Sequence, residues 1–111
     1  HAMRLSPLDP ETYRMQAGMA VANLFMGHHD TAASWAEKAL RDLPGFLVAV
    51  VVLAASHAFA GRIFEAQRAM ERARKLDPEL RLASIADWLP ISRPENLAIL
   101  VDGLRRAGLP E

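Results

Sequence analysis

Apolar positions recur along the chain at helical spacing. Ala32, Trp35, Ala36, Ala39, Leu40 and Leu43 share one face, which predicts an amphipathic helix. The pattern returns at Ala66, Ala69, Met70, Ala73 and Leu76, with Glu71 and Lys75 as an exposed pair four residues apart. Leu97, Leu100, Val101 and Leu104 predict another such helix, over about 94–107. The run Phe46 to Ala60 is apolar apart from Ser56 and His57. It is shorter than the roughly 18–20 residues a membrane span needs. A helix buried on several sides is predicted there.

The first two amphipathic faces and the apolar run belong to an internal repeat. Pro10, Pro44 and Pro78 are spaced by 34 residues. When 11–44 is laid on 45–78, the identical pairs are Ala20/Ala54, Phe25/Phe59, Gly27/Gly61, Ala32/Ala66, Glu37/Glu71, Ala39/Ala73 and Pro44/Pro78. Each unit reads as helix, glycine turn, helix, proline turn. Gly27 and Gly61 end the first helices, where positive φ is often required. The alanines let two antiparallel helices approach closely. The prolines stop the second helices, because proline cannot continue a helix interior. Leu8-Asp9-Pro10-Glu11 recurs as Leu76-Asp77-Pro78-Glu79. Residues 4–10 therefore read as the tail of a preceding unit, in a fragment of a longer protein. Residues 1–3, His-Ala-Met, read as a cloning remnant.

Residues 79–111 do not complete a third unit. Asp77 as N-cap and Pro78 at the first position predict a helix over about 78–88. Trp88 falls where the earlier units have Ala20 and Ala54, and Pro90 comes two residues later. Ser92-Arg93-Pro94-Glu95 is a capping box opening the last helix. Arg105 and Arg106 suit its final turn, and Gly108 is placed to end it. This segment is expected to cap the array, as terminal units of repeat proteins do.

The Ala, Gly and Pro set at a period of 34 resembles the tetratricopeptide repeat over residues 8–78. The large aromatic usual early in the first helix is replaced by Gln16 and Val50. The resemblance implies an all-α, right-handed α-solenoid of two helix pairs plus a C-terminal capping helix pair. The flanking motifs are Leu5-Ser6-Pro7-Leu8-Asp9-Pro10, Gly61-Arg62 with Glu65-Ala66, Arg93-Pro94-Glu95, and the ending Gly103 to Glu111. They are similar to the C-terminal repeat tail of alphaproteobacterial adenylate/guanylate cyclase-like proteins and related winged-helix regulators. That resemblance implies a role in interaction or regulation, with any catalytic or DNA-binding domain outside this segment.

Charge and chemistry narrow the picture. Thirteen basic and thirteen acidic residues give zero formal net charge, which argues against nucleic-acid binding. A chain 51% hydrophobic is not a disordered acidic tail. It has no cysteine, and no signal peptide or membrane segment is read in it, so a cytoplasmic location is expected. His28-His29 lacks well-spaced partner ligands, and Asp30 reads as the N-cap of the next helix. The two histidines are expected to be exposed turn residues. His57 reads as a core or groove histidine bonded to a neighbour. No serine has a recognisable His/Asp partner set. Gly27, Gly61, Gly103 and Gly108 read as turn or helix-end glycines, not as a phosphate loop. No enzymatic activity, metal or cofactor is predicted.

What remains is a surface. The resemblance implies a concave groove lined by the first helices. That face carries Arg14, Ala17, Val21, Leu24 and Phe25, then Val48, Val51, Ala55, Ala58 and Phe59. It is apolar apart from Arg14, which argues against capture of a peptide carboxylate. An amphipathic helix suits it. Its occupant would be the chain's own last helix through Leu97, Leu100, Val101 and Leu104, a second copy in a homodimer, or a helix from a partner. The same face would otherwise be shallow core closed by neighbouring repeats. Protein–protein interaction or self-association is the expected function. The alternative is sensing of a small amphipathic ligand, with His57 and Arg14 as polar anchors.

Overall fold

A computed structural model of the chain describes residues 10–82, 85 and 94–109. The expected cloning remnant, most of the preceding-unit tail, Trp88 and the capping-box residues 92 and 93 lie outside them. The described residues form five continuous helices and no strand: α1 Pro10–Phe25, α2 His29–Asp42, α3 Leu47–Phe59, α4 Ile63–Leu76 and α5 Pro94–Ala107. The chain is all-α. No described helix is long and apolar enough to cross a membrane.

The 34-residue period holds in the backbone hydrogen bonds. Gly27 N–H donates to Leu24 O (3.1 Å) and His28 N–H to Asn23 O (2.9 Å). Gly61 N–H donates to Ala58 O (3.2 Å) and Arg62 N–H to His57 O (2.8 Å). These paired bonds define a Schellman turn, which satisfies carbonyls that a helix end leaves open. It needs a left-handed residue, and the two glycines supply φ of 84° and 86°. Gly108 closes α5 the same way, with Leu109 N–H donating to Leu104 O at 3.0 Å.

The other junction is made by proline. Leu43 and Asp77 precede Pro44 and Pro78, and a residue before proline is driven out of the helical region. They have φ/ψ of −141°/89° and −142°/94°, and there α2 and α4 end.

α3 is the central element, packed against α1, α2, α4 and α5. Every residue from Ala49 to Ser56 is buried, as the apolar run requires. Ser56 satisfies its hydroxyl by donating to Val52 O at 2.8 Å. Ala20, Ala32, Ala36 and Ala39 are buried in the first pair, and Ala54, Ala66, Ala69 and Ala73 in the second.

Two expected helix starts are corrected. Pro78 does not open a helix: 78–79 is a turn in which Leu80 N–H donates to Asp77 O (3.0 Å). The Asp77 carboxylate accepts Glu79 N–H (3.1 Å), closing a local turn instead of capping a helix. Described helical residues resume at Leu82, and Leu82 and Ile85 are buried. Asp30 is not the N-cap of α2 either; His28 holds that position without a side-chain cap bond. Asp30 lies in the first turn, where a carboxylate suits the helix dipole.

Candidate interaction surface

The apolar face expected to line a groove is closed over its second half. Val51, Ala55 and Ala58 are buried, and Val48 and Phe59 are partly so. The cover is α5, which packs along α3. Leu100 and Leu104 are buried, with Leu97 and Val101 half-buried against the core. Gly103 makes the approach possible. A Cβ on it would lie 2.7 Å from Phe59 Cε2 and 2.8 Å from Ala55 Cβ. Gly103 is thus a helix-interior contact residue, not the turn or helix-end glycine its sequence context suggested. Of the three occupants expected for the groove, the chain's own last helix fills this half.

Over the first unit, Ala17 and Leu24 are buried, Val21 and Phe25 are partly exposed and Arg14 is exposed. Beside them, Leu24, Phe25, Phe59, Ala98 and Ile99 line a cleft of about 420 Å³, with His29 and Asp102 at its polar side. His29 stacks on Phe59 with ring centroids 5.0 Å apart, so it is not a free turn residue. The Arg106 guanidinium also lies over Phe59, 5.1 Å from the ring centroid, and pairs with Asp102 at 3.1 Å.

Arg62 organises the polar side of the inter-unit junction. Its Nη1 donates to Asp30 Oδ1 at 2.7 Å, and its Nε donates to His57 Nδ1 at 2.9 Å. His57 must therefore present an unprotonated Nδ1. Its pKa is lowered, first by burial and then by the Arg62 charge; Glu65, Glu37 and Asp30 oppose the shift. The equivalent pair one unit earlier is His28 and Asn23, whose Nδ1 and Oδ1 are 3.3 Å apart.

His57 opens onto a cleft lined by Glu37, Glu65, Arg68 and Arg72, whereas Arg14 lies in the N-terminal half of α1. The two anchors expected for a small ligand are not brought together in any described cavity. Among the described residues, no group of three His, Cys, Asp or Glu is placed to hold a metal ion.

Among the described residues, one exposed apolar stripe is not singled out by the sequence pattern. Met15 and Met19 of α1, and Met26 in the turn just beyond it, are 59%, 41% and 61% exposed, on the side of α1 that also shows Gly18 and Ala22. The spacing 15, 18, 19, 22, 26 is one helix stripe. Apolar residues surround α1 on all sides, so sequence could not say which side is covered. Phe64, at the start of α4, is also exposed, with the Arg68 guanidinium 5.9 Å from its ring centroid.

Comparison with known proteins adds no relative. No protein family, curated protein or solved structure matches the chain.

Proposed function

We propose that this chain is a non-catalytic protein-interaction module, built as a tetratricopeptide-like right-handed solenoid of two helix pairs closed by a C-terminal cap. The turns repeating at 34 residues, with glycine and proline at the same places in both units, support the architecture. One observation carries the function: Met15 and Met19 of α1 are exposed, while their counterparts on α3, Ala49 and Leu53, are buried. An apolar face of this kind usually marks a contact site. Methionine suits such a face because its unbranched, polarizable side chain adapts to a partner's shape. The partner is a protein helix; α5 already packs on α3. On the resemblance of its motifs to cyclase-like and winged-helix regulators, the module acts as a regulatory tail.

A library of amphipathic helical peptides selected against the full chain tests this. Selected peptides should lose at least about tenfold in affinity when Met15 and Met19 are both changed to Glu. Circular dichroism should stay that of the unsubstituted chain, because both positions face solvent. Failure to select any binder, or binders indifferent to both changes, would overturn the reading.

A further inference from the structure

The cleft between the first helix pair and α5 has the parts of a small-molecule site. Its volume of about 420 Å³ falls within the range of about 300–1,000 Å³ that such sites occupy. Phe25, Phe59 and Ile99 give it apolar walls drawn from α1, α3 and α5. Two polar side chains, His29 and Asp102, stand at one side.

The walls are held before any ligand arrives. Phe59 is stacked against His29 with ring centroids 5.0 Å apart, and the Arg106 guanidinium lies 5.1 Å from the Phe59 centroid. Gly103 lets α5 close on Ala55 and Phe59, which sets where Ile99 and Asp102 stand. Asp102 Oδ2 is held by Arg106 at 3.1 Å. A cleft ordered in advance spares a ligand the cost of ordering it. The arrangement does not repeat along the chain. A shift of 34 residues takes Phe25 to Phe59 but His29 to Ile63, so the second unit lacks that polar group.

The lining selects the ligand. Phe25 and Phe59 favour a flat aromatic body, because ring pairs gain energy beyond the area they bury. The Asp102 charge is already met by Arg106, so a second cation gains little. What remains is an acceptor: Asp102 Oδ1 has no partner among the described residues. We propose that this cleft binds a small, uncharged aromatic molecule with one hydrogen-bond donor, its ring against Phe25 and Phe59 and its donor on Asp102. Bound there, the molecule bridges the first unit to α5 and stabilises the closed cap. The site is separate from the methionine face and goes beyond the interaction reading.

Indole and N-methylindole are the probes, since they share a shape and differ in one N–H. Each is titrated into isotopically labelled full chain, and the amide resonances are followed by NMR. Indole should give saturable shifts centred on Gly27, Phe59 and Asp102, and should bind about fivefold or more tighter than N-methylindole. Asp102→Leu should remove that preference. Ala98→Phe fills the cleft from an exposed helix position, and should abolish binding of both probes with helix content unchanged. Absence of saturable shifts, or equal affinity for the two indoles, would overturn the proposal. So would N-acetyltryptophanamide binding tighter than indole, which would assign the cleft to a partner's tryptophan side chain. Changing Met15 and Met19 to Glu should leave indole binding intact; its loss would place the molecule on the methionine face and also overturn the proposal. The interaction reading stands or falls with the peptide selection alone.

Discussion

The first and second helix pairs close with the same hydrogen bonds, yet Met19 is 41% exposed where its counterpart Leu53 is 8% exposed. The contrast separates two kinds of information in the chain. Turn chemistry sets how two helices fold back on each other, and it repeats because glycine at positive φ and a residue before proline meet the same backbone demands twice. Flank chemistry sets what each pair leans on, and it does not repeat. α3 is flanked by α2 and α5, so its faces are alanine, valine and leucine. α2 offers Ala33 and Leu40 to its neighbours, whereas α4 has Gln67 and Arg74 at those positions and leaves both exposed.

The largest expected effect lies where α5 covers α3. Leu104→Ala removes a fully buried side chain and should cost about 3 kcal/mol in chemical denaturation. A loss under about 1 kcal/mol would mean that α5 is an appendage, and that the second unit is as uncovered as the first. A smaller effect sharpens the shared half of the comparison. Gly27→Ala and Gly61→Ala meet no neighbour within 4 Å, so only the strain of positive φ opposes them. Each should cost about 1–2 kcal/mol, and the two losses should agree. Unequal losses would show that the two turns carry different loads despite identical bonds.

The smallest effect concerns the junction between units. His57 is held neutral by burial and by Arg62, so its folded pKa lies below the ordinary 6.5. The unfolded chain then takes up a proton at His57 before the folded chain does. Its contribution to stability is present above about pH 6.5 and is lost as pH falls through the lowered folded value. The denaturation midpoint should therefore be flat from about pH 8 down to 6.5 and decline below. His57→Asn, which copies Asn23 of the first unit, should make the decline shallower. An unchanged profile in that variant would remove His57 from the account.

Much of the fold was legible in the sequence because its determinants are local. Gly27, Gly61 and Gly108 announce left-handed turns, Pro44 and Pro78 announce helix stops, and the period tied them together. The misread elements depend on distant partners or on rival local bonds. Asp30 looked like a cap, but Arg62, thirty-two residues further on, takes its carboxylate. Gly103 looked like a helix end, but a helix-to-helix approach at Ala55 and Phe59 requires it. Pro78 looked like a helix start, but Asp77 uses its carboxylate to close a turn of its own. The candidate surface moved for a similar reason. Leu97, Leu100, Val101 and Leu104 were legible as an apolar face, but the last helix was only one of three possible occupants of the groove. Met15 and Met19 lie at positions equivalent to core residues, and only packing reveals that they are uncovered.

The most direct measurement is the difference in unfolding free energy between Met19→Ala and Leu53→Ala, which stand one period apart. If the two faces are equivalent in geometry and opposite in cover, Leu53→Ala should lose about 2–3 kcal/mol and Met19→Ala less than about 1. Equal losses would mean that the α1 face is already buried in solution, and the interaction surface would have to be sought elsewhere.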